Sequence, residues 1–409
     1  MTDAQVIVVG GGPGGASTAW HLARSGVDVL LLDRARFPRE KPCAEYLSPE
    51  ASRVLAAMGA LETCEAAGAA HLAGMIVRAP SGERIHGDFA SGHGFRGFRD
   101  RGLALPRRVL DPIVLDRARQ AGARVAERVQ VTDVLRDARG AVRGVRVIGP
   151  DGQTGERTAP FVVGADGLRS VVGRRLGLSH YARAPRRMAF VAHFRGVSGM
   201  GDYGEMHVER DGYVGLANVG QGLTNVALVL PVSRARAARG DAAALFHRWI
   251  GARAHLAPRF EAAERISPVR ATGPFAQRAR KAWAPGAALV GDAADFFDPF
   301  TGEGIYAALH GGEMLAPALV RALATHTTRD ADAALAAYDR DRHDAFADKW
   351  KVERVIGLAV SVPALMNRAA RVLSRRKDMA DLLVGVAGDF VPPREVLSIR
   401  YLSHLLLTL

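Results

Sequence analysis

Val6-Ile7-Val8-Val9 runs straight into Gly10-Gly11-Gly12-Pro13-Gly14-Gly15, and few local patterns restrict a fold more. Four β-branched apolar residues in a row are those of a strand buried on both faces. Gly10, Gly12 and Gly15 keep the G-x-G-x-x-G spacing. The first makes a tight turn, the second admits a pyrophosphate close to backbone, and the third lets the next helix pack on the strand. A helix over residues 16–24 would stop at Gly26, a C-cap candidate. Its N-terminus offers unpaired N–H groups and a positive dipole end to phosphates. Residues 29–32 read as a second buried strand ending in Asp33, and an acid about 20 residues past the glycines serves a ribose diol. Asp33 and its neighbour Arg34 are therefore candidate cofactor contacts. The competing reading, a glycine-rich turn without a ligand, fits the strand–helix–strand–acid context less well.

Two later segments repeat the theme. Gly164-Ala165-Asp166-Gly167 follows an apolar run, and residues 287–290 form a strand that delivers Asp292 just after Gly291. Asp298-Pro299-Phe300-Thr301-Gly302-Glu303-Gly304 then leads into a helix over residues 305–310. A helix N-terminus there would stabilise negative charge on a ring lying against it. Gly302 and Gly304 leave room for such a ring. The alternative for Asp292 is an N-cap or turn aspartate.

Composition narrows the class. A chain of 409 residues suits two domains. Its hydrophobic content of 48% and charged content of 24% are ordinary for globular proteins. Two cysteines, Cys43 and Cys64, make no disulfide framework, so a cytoplasmic location is expected. The first strand starts so near the N-terminus that no secretory leader is expected. The apolar stretch at residues 355–366 is short for a bilayer and contains Pro363. A net charge of +13 raises the question of nucleic acid, but only five of the 55 basic residues are lysine. No helix-turn-helix, zinc-finger or RNA-binding signature accompanies that skew, so no nucleic-acid partner is expected. Residues 167–187 hold six arginines and no acid, a solvated face or an attraction for an anionic nucleotide or membrane. The thirteen histidines lack metal-ligand spacing and no Ser/His/Asp constellation is recognisable, so no metal is expected.

Along the chain, helical periodicity at residues 110–122 precedes strands at 124–135 and 142–147. From residue 188 to 231 the pattern becomes short alternating strands (188–194, 204–209, 213–218, 225–230), expected to form an antiparallel sheet with one face packed and the other open. Residues 241–264 return to helix, and the chain is mostly helical after Tyr306. The expected class is α/β: a Rossmann-type nucleotide-binding domain from pieces 1–75, 100–178 and 270–345, an inserted antiparallel β-sheet substrate domain from 76–99 and 179–269, and a helical C-terminal region over 346–409.

With these segments in this order, the chain resembles the flavoprotein hydroxylase superfamily typified by p-hydroxybenzoate hydroxylase, in the branch of geranylgeranyl reductases. Lys41-Pro42-Cys43 is similar to a lysine-x-cysteine segment of that branch, and Arg107, four residues before Asp111, falls where the family has a flavin-contacting arginine. The resemblance implies non-covalent FAD, with Asp166 and Gly167 in the Asp-Gly motif that helps hold it, and Asp292 on the ribityl chain. Gly10, Gly12, Pro13, Gly14, Gly15, Asp33, Arg34, Cys43, Arg107, Gly291, Pro299, Gly302 and Gly304 complete the expected cofactor contacts. The prenyl reductases' Tyr-x-Trp-x-Phe-Pro motif is altered: Tyr213 is kept, Gly215 replaces tryptophan and Ala217-Asn218 replaces Phe-Pro, while Ala44 replaces a glycine after the cysteine. The Trp-x-Trp motif of flavin halogenases is absent from the sequence.

Gly215 and Ala217 suggest an open wall for a bulky ligand. The leading expectation is accordingly an FAD-dependent monooxygenase for an aromatic or polyketide-derived small molecule of secondary metabolism, with NAD(P)H as transient reductant. The alternatives are an FAD-dependent double-bond reductase of an isoprenoid or lipid, and a non-catalytic flavin-binding partner protein. Cys43 and Tyr213 are the catalytic candidates; for Cys43 the competing reading is a small residue packed beside the cofactor. Residues 352–409, with Arg368, Arg371, Arg375, Arg376 and Lys377, cover the substrate domain or touch a membrane surface through which a hydrophobic substrate enters.

Overall fold

The computed structural model describes residues 2–181, 186–236 and 240–407. Arg183, part of the arginine-rich stretch, lies outside them. Strand β1 (Val6–Val9), helix α1 (Pro13–Arg24) and strand β2 (Val29–Asp33) open the chain. Every residue of both strands is buried, as continuous apolar runs require when helices cover both faces. The two strands are parallel and in register from Val6 opposite Val29. Phe161–Gly164 flanks β1 on its other side, also parallel. The full order is Trp283–Ala284, Ala287–Leu289, Phe161–Gly164, β1, β2, Arg124–Glu127. Three segments distant in sequence thus end side by side at the carboxyl edge, where ligands of such sheets bind.

The second sheet is larger. Arg187–Arg195, Leu223–Pro231, Gly212–Asn218 and Tyr203–Glu209 pair antiparallel in that order, and Gly74–Arg78 joins Tyr203–Glu209 in parallel. Neither face is open. Val191, Tyr213 and Val229 pack toward the C-terminal helices, while their alternates Phe190, Val214 and Leu228 pack on Phe246 and Trp249. The expectation of one solvated face fails because helix Ala242–Gly251 covers it. That helix ends at Gly251, well short of residue 264, with Pro258 in the short turn that follows. Arg128, at φ 60°, divides the expected 124–135 strand in two.

Helix α2 (Gly304–Leu323) packs on α1, and helix α3 (Thr328–Ser361) runs unbroken past residue 345. Val362 is extended ahead of Pro363, the conformation that proline imposes on its predecessor. Helix α4 (Pro363–Leu373) consequently leaves α3 at 111°. Among the described residues no single helix is long and apolar enough to cross a membrane.

Candidate functional site

At the first turn, sterics explain the glycines. A Cβ on Gly10 (φ +106°) would lie 2.4 Å from the Ala165 carbonyl oxygen, and one on Gly15 would lie 1.8 Å from that of Gly10. The N-cap of α1 is Gly12, with no side chain spending the first-turn N–H groups; such groups are free for a phosphate. Asp33 is buried with both oxygens in use. Oδ2 accepts from Gly11 N–H at 2.7 Å and Oδ1 from Ala35 N–H at 2.7 Å. The carboxylate thus braces the turn, while Arg34 is exposed.

Gly12, Pro13 and Gly14 border a cavity of about 780 Å³ whose wall continues through Cys43, Arg107, Gly167, Gly291, Asp292, Pro299, Gly302 and Gly304. That volume is within the range of about 300–1,000 Å³ usual for ligand pockets. Arg107 is buried, forks onto Asp111 at 2.6 and 3.0 Å, and lies against Cys43. Lys41 Nζ sits 3.4 Å from Asp292 Oδ2, both on the cavity wall. Gly302 is left-handed (φ +75°) and α2 begins behind Glu303, again with no side-chain cap. Gly10, Gly15, Asp33, Arg34 and Asp166 stay off the wall. Asp166 turns away because its oxygens accept from Ser170 Oγ at 2.5 Å and Val171 N–H at 2.6 Å. Burial raises its pKa despite those bonds.

The substrate side is lined by the sheet residues Ala189, Val191, Met206, Ala227 and Val229, together with Phe275 and Phe296. The expected opening at Gly215 is partly filled: a Cβ there would meet Met206 Sδ at 3.0 Å. Ala217 lies farther along the strand, packed against the cluster of Tyr46 and Phe89. Tyr213 is buried and donates to Asp298 Oδ1 at 2.6 Å. Burial, then the Asp298 charge, pushes its phenol well above the ordinary value. Arg187 donates to Asp298 Oδ2 at 2.6 Å, to Gly357 O at 3.1 Å and to Ser361 Oγ at 2.6 Å. This chain of contacts ties sheet, loop and α3 together, with Tyr213 itself on the cavity wall.

Further residues reach the wall: Glu45 and Tyr46, which follow Cys43 and are positions from which flavin or substrate could be touched, and charged residues of α3 that carry no signal in the sequence. Glu45, buried at φ 61°, accepts from Arg107 N–H at 2.8 Å and Asn225 Nδ2 at 2.9 Å, and its Oε2 lies 2.7 Å from His193 Nε2. Helix α3 adds Arg342, Lys349, Glu353 and Arg354. Lys349 pairs with Glu303 at 3.0 Å and with Asp389, and Arg342 pairs with Asp295. An i, i+4 comb on α3 could have been sought in the sequence, but only the tertiary packing aims it inward. Among the described residues no cluster suits a metal ion.

A family model described as FAD binding domain matches residues 3–352. Digeranylgeranylglycerophospholipid reductase 2 of Methanopyrus kandleri is 28% identical over 98% of this chain and 99% of its own length. Menaquinone reductase of Mycolicibacterium smegmatis is 27% identical, covering 95% of this chain and 92% of that protein. Among solved structures, the FAD-dependent myxobacterial chondrochloren halogenase superposes with a TM-score of 0.80 at 23% identity, covering 98% of this chain and 96% of that one. At that identity the likeness concerns the fold.

Proposed function

The chain belongs to the FAD binding domain family, and from that we propose a flavin-dependent reductase that saturates carbon–carbon double bonds of a long apolar, isoprenoid-type substrate. FAD is the cofactor, and the residues present fit it. Unspent N–H groups at α1 suit its pyrophosphate, Asp292 and Lys41 suit its polar chain, and the uncapped start of α2 behind Gly302 suits the electron-rich edge of its ring. Bound there, reduced FAD supplies a hydride, replenished by a nicotinamide nucleotide.

The observation that carries the reading is the continuity of one cavity from the phosphate turn to the apolar sheet wall. That wall excludes water and aligns a chain by shape. Two relatives that match nearly the full length are reductases whose named substrates are polyisoprenoid lipids. The hydroxylase expectation rested on an open wall at Gly215 and Ala217; Gly215 does line the cavity, but Met206 narrows the space beside it and Ala217 packs elsewhere, which weakens that support. The test is anaerobic incubation of reduced protein with geranylgeraniol or menaquinone. Gain of two hydrogens per double bond is expected; substrate-dependent O₂ uptake with a hydroxylated product would reinstate the hydroxylase.

The same reading places substrate entry at the bend between α3 and α4. Leu358 lines the cavity and is exposed, and Val355, Val362 and Leu365 are exposed beside it. Arg354 and Arg371 on these helices suit an anionic bilayer. Flotation with phosphatidylglycerol vesicles should carry the protein upward, and should fail for Leu358→Asp.

A further inference from the structure

Four carboxyl groups converge where α3 meets the flavin-side loop: Asp298 on the loop, Glu303 at the start of α2, Glu353 on α3 and Asp389 after residues 377–387. Two buried cations serve them. Arg187, from the sheet, is committed to Asp298, and Lys349 to Glu303 and Asp389. Arg354, the neighbour of Glu353 on its own helix, is exposed and so well screened. Glu353 is the surplus acid. It is half-buried, fronts the cavity, and has no hydrogen bond or ion pair among the described residues. With both protein cations committed elsewhere, this carboxyl on the cavity wall is left free to meet a ligand.

Its surroundings also hold its proton. Burial first, then the Glu303 charge, raises its pKa to about 8. These surroundings favour the protonated carboxylic acid, the form a general acid needs. Its neighbours Glu303 and Asp298 belong to the segment Asp298–Gly304 that presents Gly302 and Gly304 to the ring site.

Resting on the reductase reading, we propose that Glu353 is a catalytic residue, the acid that protonates one carbon of the substrate double bond while the neighbouring carbon receives the hydride. The π bond breaks and two C–H bonds form. One hydrogen arrives with the electron pair as the hydride from reduced flavin, whose electrons come from a nicotinamide nucleotide. The other hydrogen is the Glu353 proton, and the carboxylate left behind regains a proton from solvent. Protonation of the less substituted carbon puts developing positive charge on its neighbour, where the carboxylates of this cluster favour it.

The test is Glu353→Gln in the flavin-loaded protein. The amide matches the neutral acid in size and charge, so fold and flavin content should not change. Wild type at pH 7 should show the infrared carbonyl band of a protonated carboxylic acid that fades as pH rises through about 8, and the variant should lack it. With geranylgeraniol, anaerobically, double-bond saturation should fall about 10²–10⁴-fold in kcat, with KM little changed. The wild-type rate should also fall as pH passes the same value. A variant that keeps its kcat, whether or not KM rises, overturns the proton-donor role while leaving the reductase reading intact. A band that does not change on substitution overturns it too. If wild type saturates no double bond in geranylgeraniol or menaquinone, the reductase reading falls and the role falls with it.

Discussion

The two ends of the cavity are built from different materials. At the cofactor end the working groups are mostly backbone: N–H groups at α1 and α2, and the turn glycines Gly10 and Gly15, where an added carbon would lie 2.4 and 1.8 Å from a carbonyl oxygen. At the substrate end they are side chains, an apolar sheet wall facing a charged comb on α3. The difference teaches where the site tolerates change. A backbone cradle is spoiled by a single Cβ, whereas a side-chain wall can be retuned one residue at a time.

Gly15→Ala presses hardest on that contrast. Its Cβ would fall 1.8 Å from the Gly10 carbonyl oxygen, so β1 and α1 must part. Near-complete loss of flavin absorbance is expected, with a stability loss of about 1–3 kcal/mol or more in denaturant titration. Full flavin occupancy would show that the turn relaxes and is not a rigid cradle.

Asp292→Ala removes the one carboxylate that the strand end delivers to the cofactor side. Loss of a charge-assisted hydrogen bond should weaken FAD binding by about 1.5–3 kcal/mol, read by flavin titration of the apoprotein with unchanged circular dichroism. Undiminished affinity would leave Asp292 only its contact with Lys41. Gly304→Val should act in the same direction, since its side chain would enter the space between Phe296 and Asp292.

At the substrate end, Tyr213→Phe should be milder. It deletes one hydrogen bond to Asp298, which keeps Arg187 and Phe300 N–H. About 1 kcal/mol of stability should go, with flavin content and the rate of flavin reduction unchanged. A collapse of turnover beyond that stability loss would support Tyr213 as a catalytic candidate.

The smallest effect concerns pH. Burial lowers the His193 pKa, but the hydrogen bond and charge of Glu45 outweigh it, and the net value is raised above 6.5. A raised histidine pKa adds stability fully present below 6.5 and lost as pH climbs through the folded value. Thermal melting of wild type should therefore fall across that window, and His193→Gln should flatten the slope. An equal slope in both would place the titration elsewhere.

The phosphate turn, β1 and β2 were legible because each residue's type answers to a local demand: β-branched apolar groups for a two-faced strand, glycine where a Cβ has no room. Asp292 and the Pro299–Gly304 loop were legible for the same reason. Asp33 was found, but not that both its oxygens close on Gly11 and Ala35. Asp166 was found as part of a motif, yet its oxygens cap Ser170 and Val171. The open face of the large sheet was a misreading. Alternation shows that the two faces differ, and it does not show which distant helix will cover the second one.

By itself, then, the sequence determined a glycine turn between strand and helix, two later glycine-bearing segments and the alternation of an inserted sheet, since these follow from steric and periodic rules a few residues long. Tertiary structure alone decided the rest. It laid α3 along the cavity, filled the space beside Gly215 with Met206, and set Glu353 near Asp298 and Glu303 without a cation of its own. A carboxyl's proton affinity depends on the charges and water around it, and here those neighbours come from residues up to about 55 positions away along the chain.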